Sequence, residues 1–253
     1  MRRSLTAILL SLLAGPALAA GGGDVLIKER DWSFSGPLGT YDKAAMQRGF
    51  QAYQEVCAGC HSLDLIAFRN LADLGYNEAE IKAIAAEYDI EDGPDDDGEM
   101  FTRPGRPADR FPAPYANNQA ARASNNGALP PDLSLIVKAR ANGANYLYSL
   151  LTSYGEAPAG TEVPDGMHYN AAYSGKMIAM PQPLYGDDVS YADGADSSAE
   201  GIAADLVQFL AWTAEPKMET RKRTGVATML FLLVLVGFSY RAMKVIWSDV
   251  KKA

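Results

Sequence analysis

The sequence predicts a mainly α-helical domain with long irregular loops, followed by one C-terminal transmembrane helix. Three observations predict it. Apolar residues recur every three or four positions over 42–56, 77–88 and 199–214, which places them on one helical face. The segments between are rich in glycine and proline, of which the chain has 23 and 14, and these residues punctuate regular structure. Residues 225–240 then run for sixteen positions without a charge.

Residues 1–19 read as a secretory signal peptide. Arg2 and Arg3 form its charged start, Leu5 to Leu13 an apolar core too short to span a bilayer, and Ala17-Leu18-Ala19 a small-x-small cleavage site. The twin arginines lack the rest of a folded-export consensus, so the expected route is general secretion. No long mitochondrial presequence precedes the domain, which favours a bacterial source. Removing the leader takes the formal charge from -8 to about -10, 21 basic against 31 acidic residues. That balance argues against nucleic acid and for a basic partner. Residues 20–220 are long enough to bury a core of their own.

Residues 21–40 are expected to be extended, with Trp32 and Phe34 as packing anchors. Asp42 can cap a helix that continues through Met46, Phe50, Tyr53 and Val56 and runs directly into Cys57-Ala58-Gly59-Cys60-His61. This is a C-x-x-C-H motif, the attachment signature of c-type haem. Two thiols at this spacing reach the vinyl groups on one porphyrin edge, and the next histidine supplies an imidazole to the iron. Both cysteines of the chain are used here. A thiol redox pair is the first competing reading, but no βαβ pattern surrounds the motif. Half a zinc site is the second, but no other cysteine pair exists and His168 lies far along the chain. A haem-based gas sensor with an open sixth position is a third.

Asn77 caps a further helix to Tyr88, with Ile81, Ile84 and Ala85 inward. An acidic loop follows over Glu91–Glu99, a solvated stretch that would also steer a cationic protein. Residues 102–115 are expected to be irregular. Asn125-Asn126-Gly127-Ala128-Leu129-Pro130-Pro131-Asp132-Leu133-Ser134 should make a rigid turn into a helix from Leu133 to about Arg140. Asn145 should cap the next helix, through Tyr146, Leu150 and Leu151 to Gly155. This stretch suits the wall of a haem pocket, with Arg140 and phenols as propionate donors. Residues 199–214 form an amphipathic helix with Ile202, Leu206, Phe209 and Leu210 on one side, ending at Glu215-Pro216.

The uncharged run amounts to about 24 Å of helix, and continuing to Trp247 makes it long enough to span. Arg241 and Lys244 can snorkel beside Tyr240 and Trp247. Residues 221–248 are therefore an anchor, with a cytoplasmic tail over 249–253. Basic clusters flank both ends, so the leader rather than the positive-inside rule sets the orientation, with the haem domain periplasmic. The span holds no proton path.

Several runs together resemble one family. They are Arg48-Gly49-Phe50 to His61, Asp92-Gly93-Pro94 to Arg103-Pro104-Gly105, Asn125 to Ser134, Ile178 to Pro181, and the anchor. They are similar to the cytochrome c1 family, the haem c subunit of the ubiquinol–cytochrome c reductase (cytochrome bc1) complex, over nearly all of the mature chain. The resemblance implies a class I cytochrome c-like haem domain. It implies Cys57 and Cys60 as thioether sites, Arg140 and Tyr146 at propionate-contacting positions, and Asn125 and Pro131 in the pocket wall. His61 and a methionine would be the axial ligands. Among nine methionines, Met167, Met177 and Met180 fall where class I cytochromes supply this ligand. Met180 is favoured because Pro181 fixes the backbone behind it and Ile-Ala-Met-Pro resembles the family's ligand loop; Met177 and His168 are the alternatives. Some relatives brace this region with an extra cysteine pair, which this chain lacks.

The function implied is electron transfer from the Rieske iron–sulfur protein through covalent haem c to a cytochrome c. Cytochrome b would be the third core partner in a dimeric complex at the bacterial inner membrane. Quinol chemistry would belong to the partners. A free-standing membrane-anchored cytochrome c is the alternative, although the Asn125–Ser134 string does not suit it.

Overall fold

The computed structural model describes residues 25–248, so the expected leader and the 249–253 tail lie outside the described residues. Two crossed helices organise the core: α1, Lys43–Ala52, and α5, Ala199–Ala214. Asp42 caps α1 as expected, its carboxylate accepting from the Ala44 and Ala45 amides. At the crossing the backbones touch. A Cβ on Gly49 would stand 2.0 Å from the Asp205 carbonyl oxygen, so no larger residue fits. Beside it, Arg48 pairs with Asp205 at 2.6 Å and with Asp193 at 3.1 Å. Burial pushes the Asp205 carboxyl up, and Arg48 opposes that shift.

Helix α5 has the expected boundaries but not the expected face. Twelve of its sixteen residues are buried, so it is the central core helix rather than a half-exposed one. A continuous group of rings packs around the crossing: Phe50, Tyr53, Phe68, Tyr88, Phe111, Phe209 and Trp212, with Phe68 and Phe111 only 4.3 Å apart. A 3-10 turn at Phe68–Leu74 and helix α2, Glu78–Ala86, cover one side, α2 capped by Asn77 in a reciprocal box with Glu80.

The sequence reading missed a hairpin. Strand β1, Asp89–Asp92, pairs antiparallel with β2, Phe101–Pro104, and the acidic loop is its tip. Residues 102–115 are therefore partly regular. Arg103 holds the hairpin, bonding Asp92 on the opposite strand and Asp109 beyond it, the latter at 2.6 Å. A short helix α3, Asn118–Ser124, follows.

Residues 133–140, expected to be helical, form successive turns. Their bonds are Ile136 N–H to the Leu133 carbonyl, Lys138 N–H to Leu135, and Ala139 N–H shared between Leu135 and Ile136. Helix α4, Gly143–Thr152, begins two residues before the expected cap, after Asn142 in a left-handed conformation with φ 62°. Asn145 lies inside the helix. Its carboxamide oxygen instead accepts from the Trp32 indole at 2.6 Å, which ties the N-terminal segment to α4. Trp32 and Phe34 stack at 5.6 Å, so the expected anchors pack as anchors. Two residue pairs, β3 at His168–Tyr169 and β4 at Met177–Ile178, close a small second hairpin.

Helix α6, Met218–Ile246, leaves the domain after the short Glu215-Pro216-Lys217 joint. It is long and apolar enough to cross a membrane, and its apolar window is not buried by any of the described residues.

Candidate haem site

The end of α1 delivers the motif. The last turn widens into a π-turn over Tyr53–Cys57, closed by the Ala58 amide on the Tyr53 carbonyl at 2.8 Å. Such bulges recur at functional sites because they re-aim the next residues without ending the helix. Cys57 then packs against the core while Cys60 is exposed, and no disulfide joins them. Burial pushes the Cys57 thiol up to about 12. Thiol oxidoreductases need a stabilised thiolate, so the environment opposes that chemistry.

His61 is fixed from two sides. The Tyr53 hydroxyl donates to its carbonyl at 3.1 Å, and its ring Nδ1 lies 2.8 Å from the Pro131 carbonyl oxygen. A carbonyl only accepts, so Nδ1 carries the hydrogen and Nε2 keeps its lone pair. Burial lowers the pKa of the ring, against the opposing pull of Pro131 and Asp132. Burial favours the neutral imidazole and the Pro131 contact places its hydrogen on Nδ1, which leaves Nε2 as the nitrogen able to bind a metal.

Pro131 is held in turn by a clasp that the sequence did not disclose. Asp132 accepts from the Ser62 hydroxyl at 2.9 Å, the Asp64 amide at 2.8 Å and the Ser134 amide at 2.9 Å. The Leu133 amide bonds the Ser62 carbonyl, and the Leu65 amide bonds the Ser134 hydroxyl. The Asn125–Ser134 string is thus sewn to the residues that follow the motif. Asn125 joins the same group through Tyr115: its amide donates to the Tyr115 hydroxyl at 3.1 Å, and that hydroxyl lies 3.8 Å from Cys60 Sγ.

A second group gathers along α4. Arg140 lies beside Tyr146, whose phenol burial pushes up and Arg140 pulls down. Tyr154, just past the helix, donates to the Met180 carbonyl at 3.0 Å, and burial raises its pKa. Met180 is half-buried after β4, while Met177 lies within β4 and His168 is exposed on β3. The described structure therefore makes two groups of the expected residues: Cys57, Cys60, His61, Asn125 and Pro131 in one, Arg140, Tyr146 and Met180 in the other. Sequence reading missed Tyr115, Asp132 and Tyr154. Only Asp132 had a local signal, as the residue after a proline pair.

The donor set fits a haem: adjacent thiols, an imidazole with its outer nitrogen anchored, and a thioether-bearing loop tied to a tyrosine. With one membrane-length helix among the described residues, fold and site suit the class of haem proteins that carry a membrane anchor. The sequence profile of the Cytochrome C1 family matches residues 32–250. The chain is 51% identical over 225 residues to "Cytochrome c1 1, heme protein, mitochondrial" of Arabidopsis thaliana, covering 88% of this chain and 73% of that protein. It is 43% identical to cytochrome c1 of Rhodospirillum rubrum over 99% of this chain and 98% of that one. It also matches a protein of Bradyrhizobium diazoefficiens named cytochrome b/c1, at 46% identity over 35% of that longer chain. The chain belongs to the cytochrome c1 family.

Proposed function

We propose that this chain is the electron-transfer subunit of a ubiquinol–cytochrome c reductase, relaying electrons from the Rieske iron–sulfur protein to a cytochrome c. The observation that carries the reading is the C-x-x-C-H motif on its π-turn, with His61 Nδ1 locked by Pro131 in a chain of this family. The cytochrome b/c1 relative supports a place beside cytochrome b.

Cys57 and Cys60 would hold the haem by two thioethers, and His61 Nε2 and the Met180 sulfur would bind its iron. Haem supplies one-electron chemistry when bound. The residues do the rest. Pro131 and Asp132 keep the imidazole in its ligating tautomer, Arg140 and Tyr146 offer donors to the propionates, and Asn125 holds Tyr115 over Cys60. The domain faces the periplasm of a bacterial inner membrane, α6 anchors it, and the acidic hairpin tip attracts a basic carrier.

The test is an optical redox spectrum of the complex purified in mild detergent through a tag on this chain. Ascorbate should reduce a c-type haem alone, and dithionite should then bring up b-type haem. Haem c without haem b would instead mark a free-standing anchored carrier.

A further inference from the structure

Residues 32–40 form a loop that the haem site does not use. The Ser35 amide bonds the Trp32 carbonyl at 2.9 Å and the Thr40 amide bonds Ser33 at 3.0 Å. At the tip Gly36 takes φ +71°, and Leu38 is 80% exposed. A single exposed leucine means little by itself. Its place on the molecule is what matters.

Lys222 of α6 bolts the loop to the anchor, its Nζ donating to the Phe34 carbonyl at 2.6 Å and the Gly39 carbonyl at 3.0 Å. Beyond that bolt, a crevice of about 440 Å³ is lined by Pro37 of the loop and by Arg221, Lys222, Gly225, Val226, Met229 and Leu230 of α6. Met229 lies roughly two helical turns, about 10 Å, further along α6 than Lys222. The loop tip therefore runs down beside the start of the charge-free span rather than back towards the domain.

We propose that the turn at 35–39 is a second membrane contact, with Pro37 and Leu38 in the interfacial layer and a phospholipid acyl chain filling the crevice behind them. The inference rests on the reading of α6 as a membrane anchor. Continuity carries it: the apolar wall of the crevice is the same helix face that enters the bilayer. Past Arg221 and Lys222, which are already held by Glu215 and by the loop carbonyls, the lining is apolar and suits an acyl chain. One helix leaves a domain free to rotate and tilt about its axis. A second contact to one side of that axis removes this freedom.

The test is photolabelling of the intact complex in nanodiscs of phosphatidylcholine and phosphatidylglycerol whose acyl chains carry a diazirine, with adducts mapped by mass spectrometry. Adducts on both the 229–236 span and the 35–39 turn are expected, and Leu38→Asp should reduce those on the turn several-fold while leaving those on the span unchanged. Labelling of the span without the turn overturns the proposal, because it means that another subunit or water occupies the crevice. Absence of label from the span overturns the anchor reading and this inference together.

Discussion

His61 is held at its ring by Pro131 and at its carbonyl by Tyr53, and Asp132 holds the residues around both His61 and Pro131. Its carboxylate accepts from Ser62, Asp64 and Ser134. In Asp132→Ala two backbone amides lose their partner; the exposed Asp64 amide can turn to water, whereas the buried Ser134 amide costs about 1–3 kcal/mol if left unsatisfied, and the Pro131 carbonyl is free to drift from Nδ1. The expected result is a lower thermal midpoint together with a shifted haem potential, and Asp132→Asn should recover part of both. A stability loss with an unchanged potential would show that the clasp does not reach the iron. Met180→Leu tests the sixth ligand. The haem should stay attached while its potential falls by roughly a hundred millivolts or more, within the span of about 0.8 V that axial ligation covers. An unchanged potential in redox titration would point to Met177 or His168. The motif and the caps Asp42 and Asn77 were legible because each acts within a few residues of itself. Asn145 was misread because its carboxamide goes to Trp32, a partner 113 positions away that no local pattern reveals.

Among the elements, the β1–β2 hairpin shows why short structure escapes sequence reading. Its four-residue strands set three acids and a proline against Ile90, Phe101 and Thr102, so propensity favours them only weakly and Arg103 supplies the cohesion. Arg103 holds the Asp109 carboxyl down at about 2, below its usual value near 4. A depressed carboxyl contributes stability that is complete above the unfolded pKa and is lost as pH falls through the folded one. That window runs here from about pH 4 down to about pH 2. Asp109→Asn should therefore lower the melting temperature at neutral pH and flatten its pH dependence inside the window. A variant with the wild-type acid profile would dismiss the ion pair as a stabiliser. The stretch 133–140 was misread for a related reason. It has helix-compatible residues, yet its start is pinned to residues 62–65, and the chain settles into turns that keep Pro131 over His61.

At the scale of the whole molecule, the domain and the anchor are joined by more than a peptide. Glu215 pairs with Arg221 and, at 3.2 Å, with Lys138 from the turns over 133–140. Tyr41 donates its hydroxyl to the Ala211 and Glu215 carbonyls, and its amide donates to Glu219. Met218 is buried. The first turns of α6 thus belong structurally to the haem domain. A chain ending at Arg223 should be soluble and keep its haem spectrum and most of its thermal stability. One ending at Pro216 should melt at a clearly lower temperature, and equal melting of the two would deny the joint any part in the fold. The transmembrane span was legible from composition alone. This joint was not, because its partners come from positions near 40, 138 and 215–222.

The clasp on His61 also has a consequence in time. Pro131 stands 70 positions after the histidine that it locks, so a chain delivered from its N-terminus presents both thiols and the imidazole long before the lock emerges. Nε2 is free before and after the lock forms, so what arrives late is the tautomer and aim of the imidazole rather than its availability.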